Sequence, residues 1–491
     1  MTLKKTLREI VTSENLLKDT AYSYKNNNYS YDFVLIAAEK IRQSIAKRGS
    51  SKPVIIFGHK QVGMLAGFIG CNAAGVAFVP VDFSTPKDRI EHIVKLSEAQ
   101  CIISISPFNH STECETVDYE QLTSAPSRAM LTLDNYISGE SISYIIFTSG
   151  STGVPKGVEI SIDALDDFVD WSKTLINDAR SYIFLNHALY SFDLSIFEVW
   201  TSIAKKGTIV ALDHENNFNM RANFEIMKNE KCTICVSTPS FIEICLIDTR
   251  FASDNLSSIS HFIFCGEILS KTTAIKLKNK FPQAKILNLY GPTEATCATT
   301  SIEITDQVLT KYDILPVGFV KPGTEIYLEE TENGAELIIV GTNVSHGYIN
   351  DETKTKAQFF TKNGLRAYRT GDYGFFEKDS LLFVKGRIDR QIKFKGHRIE
   401  LEEIESVMRS ILNISTALCF PIYKDGKVIE LVAVIPQSVT IIHAELATSL
   451  KETLPDYMIP AKIRTIEQIP LTSNGKIDRK EIEKLLFIKK I

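Results

Sequence analysis

Short runs rich in β-branched and aromatic residues alternate along this chain with amphipathic stretches. That alternation restricts the fold more than any other feature of the sequence. PVIIFG (53–58), AFVPVD (77–82), CIISIS (101–106) and YIIFTS (144–149) are apolar on both faces, as strands covered by helices on each side are. Between them, stretches such as KDRIEHIVKLSEAQ (87–100) have helical periodicity. The pattern returns in YIFLNHAL (182–189), TIVALD (208–213), TICVST (233–238) and HFIFCG (261–266). It predicts a parallel α/β architecture. MLAGFIGCNAAGVAFVPV (64–81) has the length of a membrane span. Glycines, Asn72 and Pro80 interrupt it, so a buried helix followed by a buried strand is expected and no stable membrane insertion. At the N-terminus Leu3, Leu7, Ile10 and Val11 share one helical face, and charged residues break any signal-peptide core.

Beyond about Thr324 the texture changes. EIYLEE (325–330), AELIIVG (335–341), YGFFEKD (373–379) and LLFVKGR (381–387) are short strands separated by turn residues, an antiparallel pattern. After Gly386 come a helical period (IELEEIESVMRSIL, 399–412), two strands, a second helical stretch (HAELATSLKETL, 443–454) and the polar loop SNGKIDRK (473–480). These suffice for a small α+β domain. A chain of 491 residues exceeds one ordinary core, so at least two domains are expected. The net charge of −4 is too small to point to nucleic acid or a membrane surface. Nine irregularly spaced cysteines without a secretory signal predict reduced thiols in a cytoplasmic protein. CTIC (232–235) has redox-motif spacing, but in a strand residues three apart face opposite sides, so no disulfide is expected.

The densest motif is SYIIFTSGSTGVPKGVEIS (143–161). Gly150 and Gly153 let backbone N–H groups approach an anion, Thr148, Ser149, Ser151 and Thr152 add hydroxyls, and Lys156 adds a point charge. Polyphosphate suits such a loop, although Gly157 after the lysine departs from the common P-loop order. A turn or linker has the same composition. In NLYGPTEAT (288–296) a strand end is followed by a Gly-Pro turn and Glu294, a carboxylate able to hold Mg²⁺ beside phosphate oxygens. YRTGDY (368–373) places Asp372 in a turn, where it can accept both hydroxyls of a ribose. SFDLSIFE (191–198) sets Asp193 after an aromatic ring. SNGKIDRK puts Lys476 on an Asn-Gly turn. Turn formation, helix capping and solvated charge explain each of these equally well taken singly.

Taken in order, TSGSTGVPKG, YGPTEAT, RTGD, GRIDRQIKFKGHRIE and NGKIDRK resemble the adenylate-forming superfamily of amino-acid adenylation domains, acyl-CoA ligases and luciferases. The resemblance covers nearly the whole chain. It implies a large N-terminal domain of parallel sheets flanked by helices plus a distorted β-barrel (1–388). A small mobile α+β domain (389–491) would carry the catalytic lysine. It implies ATP and Mg²⁺, with a substrate carboxylate attacking the α-phosphorus to give an acyl-adenylate and pyrophosphate. In those terms Lys476 contacts carboxylate and α-phosphate, and Glu294 holds Mg²⁺. The loop residues Thr148, Ser149, Gly150, Ser151, Thr152, Gly153 and Lys156 hold the departing pyrophosphate. Asp372 and Arg387 fix the nucleotide, and Tyr290, with Asn288, Gly291, Pro292 and Thr293 about it, lies by the adenine. Asp389 is the hinge that brings the Gly396 region into a thiol's path.

The same resemblance makes Asp193 the partner of a substrate ammonium. A fatty-acid enzyme has no reason to bury an unpaired carboxylate there. VSTPSFIEICLID, HFIFCGEIL and YDILPVGFVKPGT further resemble the D-alanine–D-alanyl carrier protein ligases. That family loads D-alanine onto the phosphopantetheine thiol of a carrier protein for teichoic-acid D-alanylation. Cys265 then lines the amino-acid pocket. Leu289 and Cys297 flank it where the family usually has Thr and Val. The alternatives are a freestanding peptide-synthetase-type enzyme for another small amino acid, an acyl-CoA ligase, and a binding module that has lost the chemistry. His187 and His397 are read as structural or substrate-shaping, since an ionised carboxylate needs no base.

Overall fold

The computed structural model describes residues 2–124, 128–150, 154–213, 219–331, 334–424, 427–439, 441–470 and 477–486. They divide into two compact units. Unit 1 comprises Met1–Phe83, Ile93–Thr148 and Lys156–Asp389; unit 2 comprises Ser84–His92, Ser149–Pro155 and Arg390–Ile491.

Unit 1 is built on two large sheets. The six-stranded sheet runs, in spatial order, Thr116–Asp118, Cys101–Ser104, Val54–Gly58, Phe78–Asp82, Ile142–Thr148 and Lys156–Ser161. Its neighbours are parallel except the last pair. The nine-stranded sheet has a parallel centre formed by Lys285–Tyr290, His261–Phe264, Ile234–Ser237, Ile183–Asn186, Thr208–Ala211 and Thr20–Tyr24. Antiparallel strands close it at both edges. The apolar runs of the sequence are these strands, and both faces are buried because helices cover them. The stretch at 64–81 becomes the buried helix Val62–Ala73 and the buried strand Phe78–Asp82. Among the described residues no helix is long and apolar enough to cross a membrane. The expected distorted barrel is a half-barrel of five antiparallel strands, Thr324–Thr331, Gly334–Gly341, Phe359–Lys362, Leu365–Glu377 and Leu381–Arg387.

Asp372 does not sit in a turn. It lies within Leu365–Glu377, opposite Arg387 on the next strand. Gly371 makes this possible, because its φ of +71° lets the strand continue past a kink that other residues resist. Cys232 precedes the strand Ile234–Ser237, and it shares one core cluster with Cys235 rather than facing the opposite side. Both are free thiols, as are the other seven cysteines.

Unit 2 contains the hairpin Gln391–Phe394 and His397–Glu400, the three-stranded sheet Leu418–Lys424, Lys427–Pro436 and Lys462–Ile466, and the helices Leu401–Leu412, His443–Lys451 and Arg479–Leu486. The hairpin turn places Lys395 and Gly396 both at positive φ, the geometry that matches the twist of the paired strands. Helices Leu401–Leu412 and His443–Lys451 pack Ile404, Met408, Leu446 and Leu450 against that sheet.

Phe78 anchors the larger unit. Its ring stacks on Phe68 at 4.4 Å and lies 5.8 Å from Tyr144 and 6.2 Å from Trp200, all buried. Phe78→Ala is expected to cost about 3–5 kcal/mol of unit 1 stability, read as a lowered unfolding midpoint in denaturant. A shift too small to resolve would contradict this packing.

Candidate active site

The strand Lys285–Tyr290 ends in a segment whose backbone is unusually constrained. A Cβ on Gly291 would stand 2.5 Å from the Ala298 Cα, so only glycine fits. A 3₁₀ turn at Thr293–Ala295 follows, and Thr296 and Cys297 then adopt φ of +59° and +69°. For a β-branched threonine this is strained, on the order of 1–3 kcal/mol. The surroundings hold it: the Thr296 hydroxyl donates to the Asn343 carbonyl (2.7 Å), and the Asn343 amide donates to the Ala295 carbonyl (3.1 Å). Asn343 is itself fully buried and accepts from Thr324 (2.7 Å).

From this fixed segment three side chains reach three acidic or basic centres of unit 1. The Tyr290 hydroxyl donates to Asp372 Oδ2 (2.6 Å). The Thr293 hydroxyl donates to Asp193 Oδ2 (2.7 Å). Glu294, fully buried, accepts from the Tyr348 hydroxyl (2.8 Å) and lies 3.8 Å from the Lys156 ammonium. Lys156 in turn stands 5.0 Å from the Tyr348 ring centroid, a cation–π contact.

Asp372 is held from both oxygens. Arg387 donates to its Oδ1 (2.7 Å), to the Thr370 carbonyl (3.0 Å) and, as a fork, to Asp389 (2.6 and 2.7 Å). The guanidinium thus ties the expected ribose acid to the expected hinge residue. A Cβ at Gly371 would also press on this pair, meeting Arg387 Nη2 at 2.8 Å and Asp389 Oδ2 at 2.9 Å. Tyr290, read from sequence as an adenine neighbour, spends its hydroxyl on Asp372 and packs its ring with Leu337 and Leu382. Burial, with Asp372 beside it, pushes this phenol well above its ordinary value, so it remains a donor. Asn288 donates to the Pro316 carbonyl (2.8 Å).

Asp193 occupies the N-cap position of the helical segment that begins at Leu194, yet its side chain makes no capping bond. The plain explanation for it therefore does not hold. Cys265, Leu289 and Cys297 are buried in one cluster, and the Cys265 thiol reaches the Cys297 carbonyl (3.6 Å). Burial, with Asp193 and Cys265 nearby, pushes the Cys297 thiol well up, so it is a neutral wall. The His187 ring stacks on Phe241 at 3.7 Å.

The Thr148 hydroxyl is buried without a hydrogen-bond partner among the described residues. Ser151, Thr152, Gly153 and Lys476 lie outside the described residues. Within unit 2, the Ser149 hydroxyl donates to the Arg398 carbonyl (2.7 Å) and accepts from the Glu400 N–H (3.2 Å). The Gly150 N–H donates to Glu403 Oε2 (3.2 Å), and Arg89 donates to Glu403 Oε1 (2.9 Å). Burial pushes the Glu403 carboxyl up, opposed by Arg89.

Comparison with known proteins matches the chain to a family. Residues 12–349 fit the model of AMP-binding enzymes, and residues 403–476 fit that of the AMP-binding enzyme C-terminal domain. The chain belongs to the AMP-binding enzyme family. A D-alanine–D-alanyl carrier protein ligase of Staphylococcus epidermidis is 38% identical to it over 95% of this chain and 96% of its own. Two solved structures share the fold. A Vibrio cholerae adenylation domain in complex with glycyl-adenosine-5′-phosphate has a TM-score of 0.81 at 21% identity, covering 99% of this chain and 97% of its own. The o-succinylbenzoate CoA synthetase of Bacillus subtilis has a TM-score of 0.84 at 18% identity, covering 98% of each.

Tyr348, Asn343 and Thr370 escaped sequence reasoning, because a tyrosine, an asparagine and a threonine carry no signal until a distant partner is known. For this AMP-binding enzyme, Tyr290→Phe is expected to weaken nucleotide binding by about fivefold, the usual worth of one hydrogen bond. Titration calorimetry with ATP measures it. Unchanged affinity would show that Asp372 does not depend on Tyr290.

Proposed function

We propose that this enzyme uses ATP to activate D-alanine as its adenylate and passes the D-alanyl group to the phosphopantetheine thiol of a carrier protein. The observation that carries the reading is the single segment at 290–296, which touches Asp372, Asp193 and the Glu294–Lys156 pair at once. The curated relative, similar over nearly the whole length of both chains, is named for D-alanine and a D-alanyl carrier protein. The geometry supports activation of an amine-bearing acid, and the relative's name supports D-alanine.

In the first half-reaction an oxygen of the D-alanine carboxylate bonds to the α-phosphorus, and the bond to the β-phosphate bridging oxygen breaks. No general base is needed, because the carboxylate is already ionised. Catalysis therefore rests on alignment and charge neutralisation. Asp193 takes the substrate ammonium and fixes which end of the amino acid faces the nucleotide. The Thr293 hydroxyl keeps that carboxylate pointed. Asp372 takes the ribose hydroxyls. Arg387 holds Asp372 in place, and Tyr290, with Asn288, Gly291 and Pro292, forms the floor by the adenine. Thr148, Ser149, Gly150, Ser151, Thr152, Gly153 and Lys156 attend the β- and γ-phosphates. Lys476 supplies the mobile positive charge at the carboxylate and α-phosphate. Cys265, Leu289 and Cys297 line the amino-acid pocket.

Glu294 fits Mg²⁺ as a lone carboxylate ligand. No group of three acidic, histidine or cysteine side chains converges among the described residues, and Mg²⁺ commonly takes one or two carboxylates plus substrate phosphates. When bound there it would neutralise phosphate oxygens.

In the second half-reaction the carrier thiol gives up its proton to solvent, its sulfur bonds to the acyl carbon, and the bond from that carbon to the phosphate oxygen breaks so that AMP leaves with the electrons. Asp389 is our proposed hinge between a nucleotide-binding core (1–388) and a mobile lysine-bearing domain (389–491). The division of the two units between Asp389 and Arg390 supports it. Nine free thiols suit a cytoplasmic enzyme.

ATP–pyrophosphate exchange across D- and L-amino acids is expected to be fastest with D-alanine. Lys476→Ala should slow it by about 100-fold or more. A preference for an L-amino acid would refute the D-alanine assignment.

A further inference from the structure

Behind Asp193 lies a fully buried polar cluster that none of the steps above uses. β-Strands Val54–Gly58 and Ile183–Asn186 belong to different sheets of unit 1, and the turn after each carries part of it. The Lys60 ammonium, 1% exposed, donates to Asn186 Oδ1 (2.6 Å) and to the Ala188 carbonyl, and stands 4.6 Å from the Tyr190 ring centroid. The Asn186 amide donates to Glu198 Oε2. Glu198, 0% exposed, also accepts from the backbone N–H groups of His187 (3.3 Å) and Ala188 (3.4 Å). Tyr22 donates its hydroxyl to the Lys60 carbonyl (2.8 Å) and shares a 2.6 Å hydrogen bond with Tyr190. Every one of these bonds ends on the turn at 186–190 or on its two clamps.

That turn runs directly into Asp193. Phe192 donates its N–H to the Leu189 carbonyl (2.9 Å), and the Ser195 hydroxyl donates to the Phe192 carbonyl (2.6 Å). Glu198 sits on the same helical segment as Asp193, in the π-turn Phe197–Thr201. π-turns interrupt a helix at a cost and are frequent at functional sites. Two opposite charges are thus buried and joined through one amide, and both hold the loop that presents the substrate carboxylate partner. Burial pushes Glu198 up to about 7, opposed chiefly by Lys60. It pushes Lys60 down to about 8, opposed by Glu198 and Asp82. A hydrophobic pair of similar volume would avoid that burden.

We propose that Lys60 and Glu198, bridged by Asn186, are positioning residues that set Asp193 for recognition of the substrate ammonium. This rests on the reading of Asp193 given above. The pair does not touch the reactants; it fixes the angle at which the 186–193 loop offers its carboxylate.

The test measures pyrophosphate exchange with D-alanine and with propanoate, which keeps the methyl and carboxylate and lacks the amine. Glu198→Gln is expected to raise KM for D-alanine about tenfold, with kcat within about twofold and KM for ATP unchanged. The preference for D-alanine over propanoate should fall by a similar factor. A purely structural role would lower melting temperature and active fraction while leaving KM and that preference intact, and this result overturns the proposal. Where Glu198→Gln does not accumulate, the Lys60→Met/Glu198→Gln double variant removes both charges together and leaves neither buried alone. The same split is expected of it. Wild-type enzyme without a preference for D-alanine over propanoate would overturn the Asp193 reading and this proposal together. A wild-type preference retained in the variants overturns this proposal alone.

Discussion

A carboxylate withdrawn from water must be surrounded by donors, or it costs several kcal/mol. One segment of unit 1 helps to meet that demand at buried Asp372 and Glu294 and reaches half-buried Asp193 as well. Tyr290 donates to the first, Thr293 donates to the last, and Glu294 lies between them with Tyr348 and Lys156. The segment can do this because its own shape is over-determined. Gly291 allows the close approach, and Asn343 ties down the left-handed Thr296 and its neighbours. In the proposed reading, nucleotide, phosphate and amine recognition therefore share one rigid ruler. A displacement at any point of 290–296 should disturb all three.

The same logic extends outward. Asp372 is rigid because Arg387 holds it, and Arg387 is held because its other edge is forked onto Asp389. In the proposal above, Asp193 is placed by a loop that Lys60, following a strand of one sheet, holds through Asn186 on a strand of the other, and that Glu198 holds from the helical segment. In each case the acidic group assigned to the site is backed by charged groups joined by hydrogen bonds, Arg387 with Asp389 and Lys60 with Glu198 through Asn186. Such preorganisation is what positioning-dominated catalysis needs, since small misplacements of aligned groups cost rate steeply.

Much of this was legible in the sequence. Alternating apolar runs and helical periods became parallel sheets, because β-branched residues apolar on both faces have no other stable home. Motif order identified the family. The turn assigned to Asp372 was wrong, since Gly-Asp reads as a turn unless a long strand on either side absorbs the kink at Gly371. The Lys60–Asn186–Glu198 cluster left no trace. Its members are far apart along the chain, and a lysine after a strand or a glutamate in an apolar run normally faces solvent. Only the approach of two sheets shows that both are buried. Unit 2 likewise takes in Ser84–His92 and Ser149–Pro155, which no composition shift announces.

Asp193 is proposed to receive the amine of the activated amino acid. A crystal structure with a non-hydrolysable D-alanyl-adenylate analogue measures this directly. The amine is expected within about 3 Å of an Asp193 carboxylate oxygen, the span of a charge-assisted hydrogen bond. An amine turned towards solvent, away from the Asp193 carboxylate, would contradict the account.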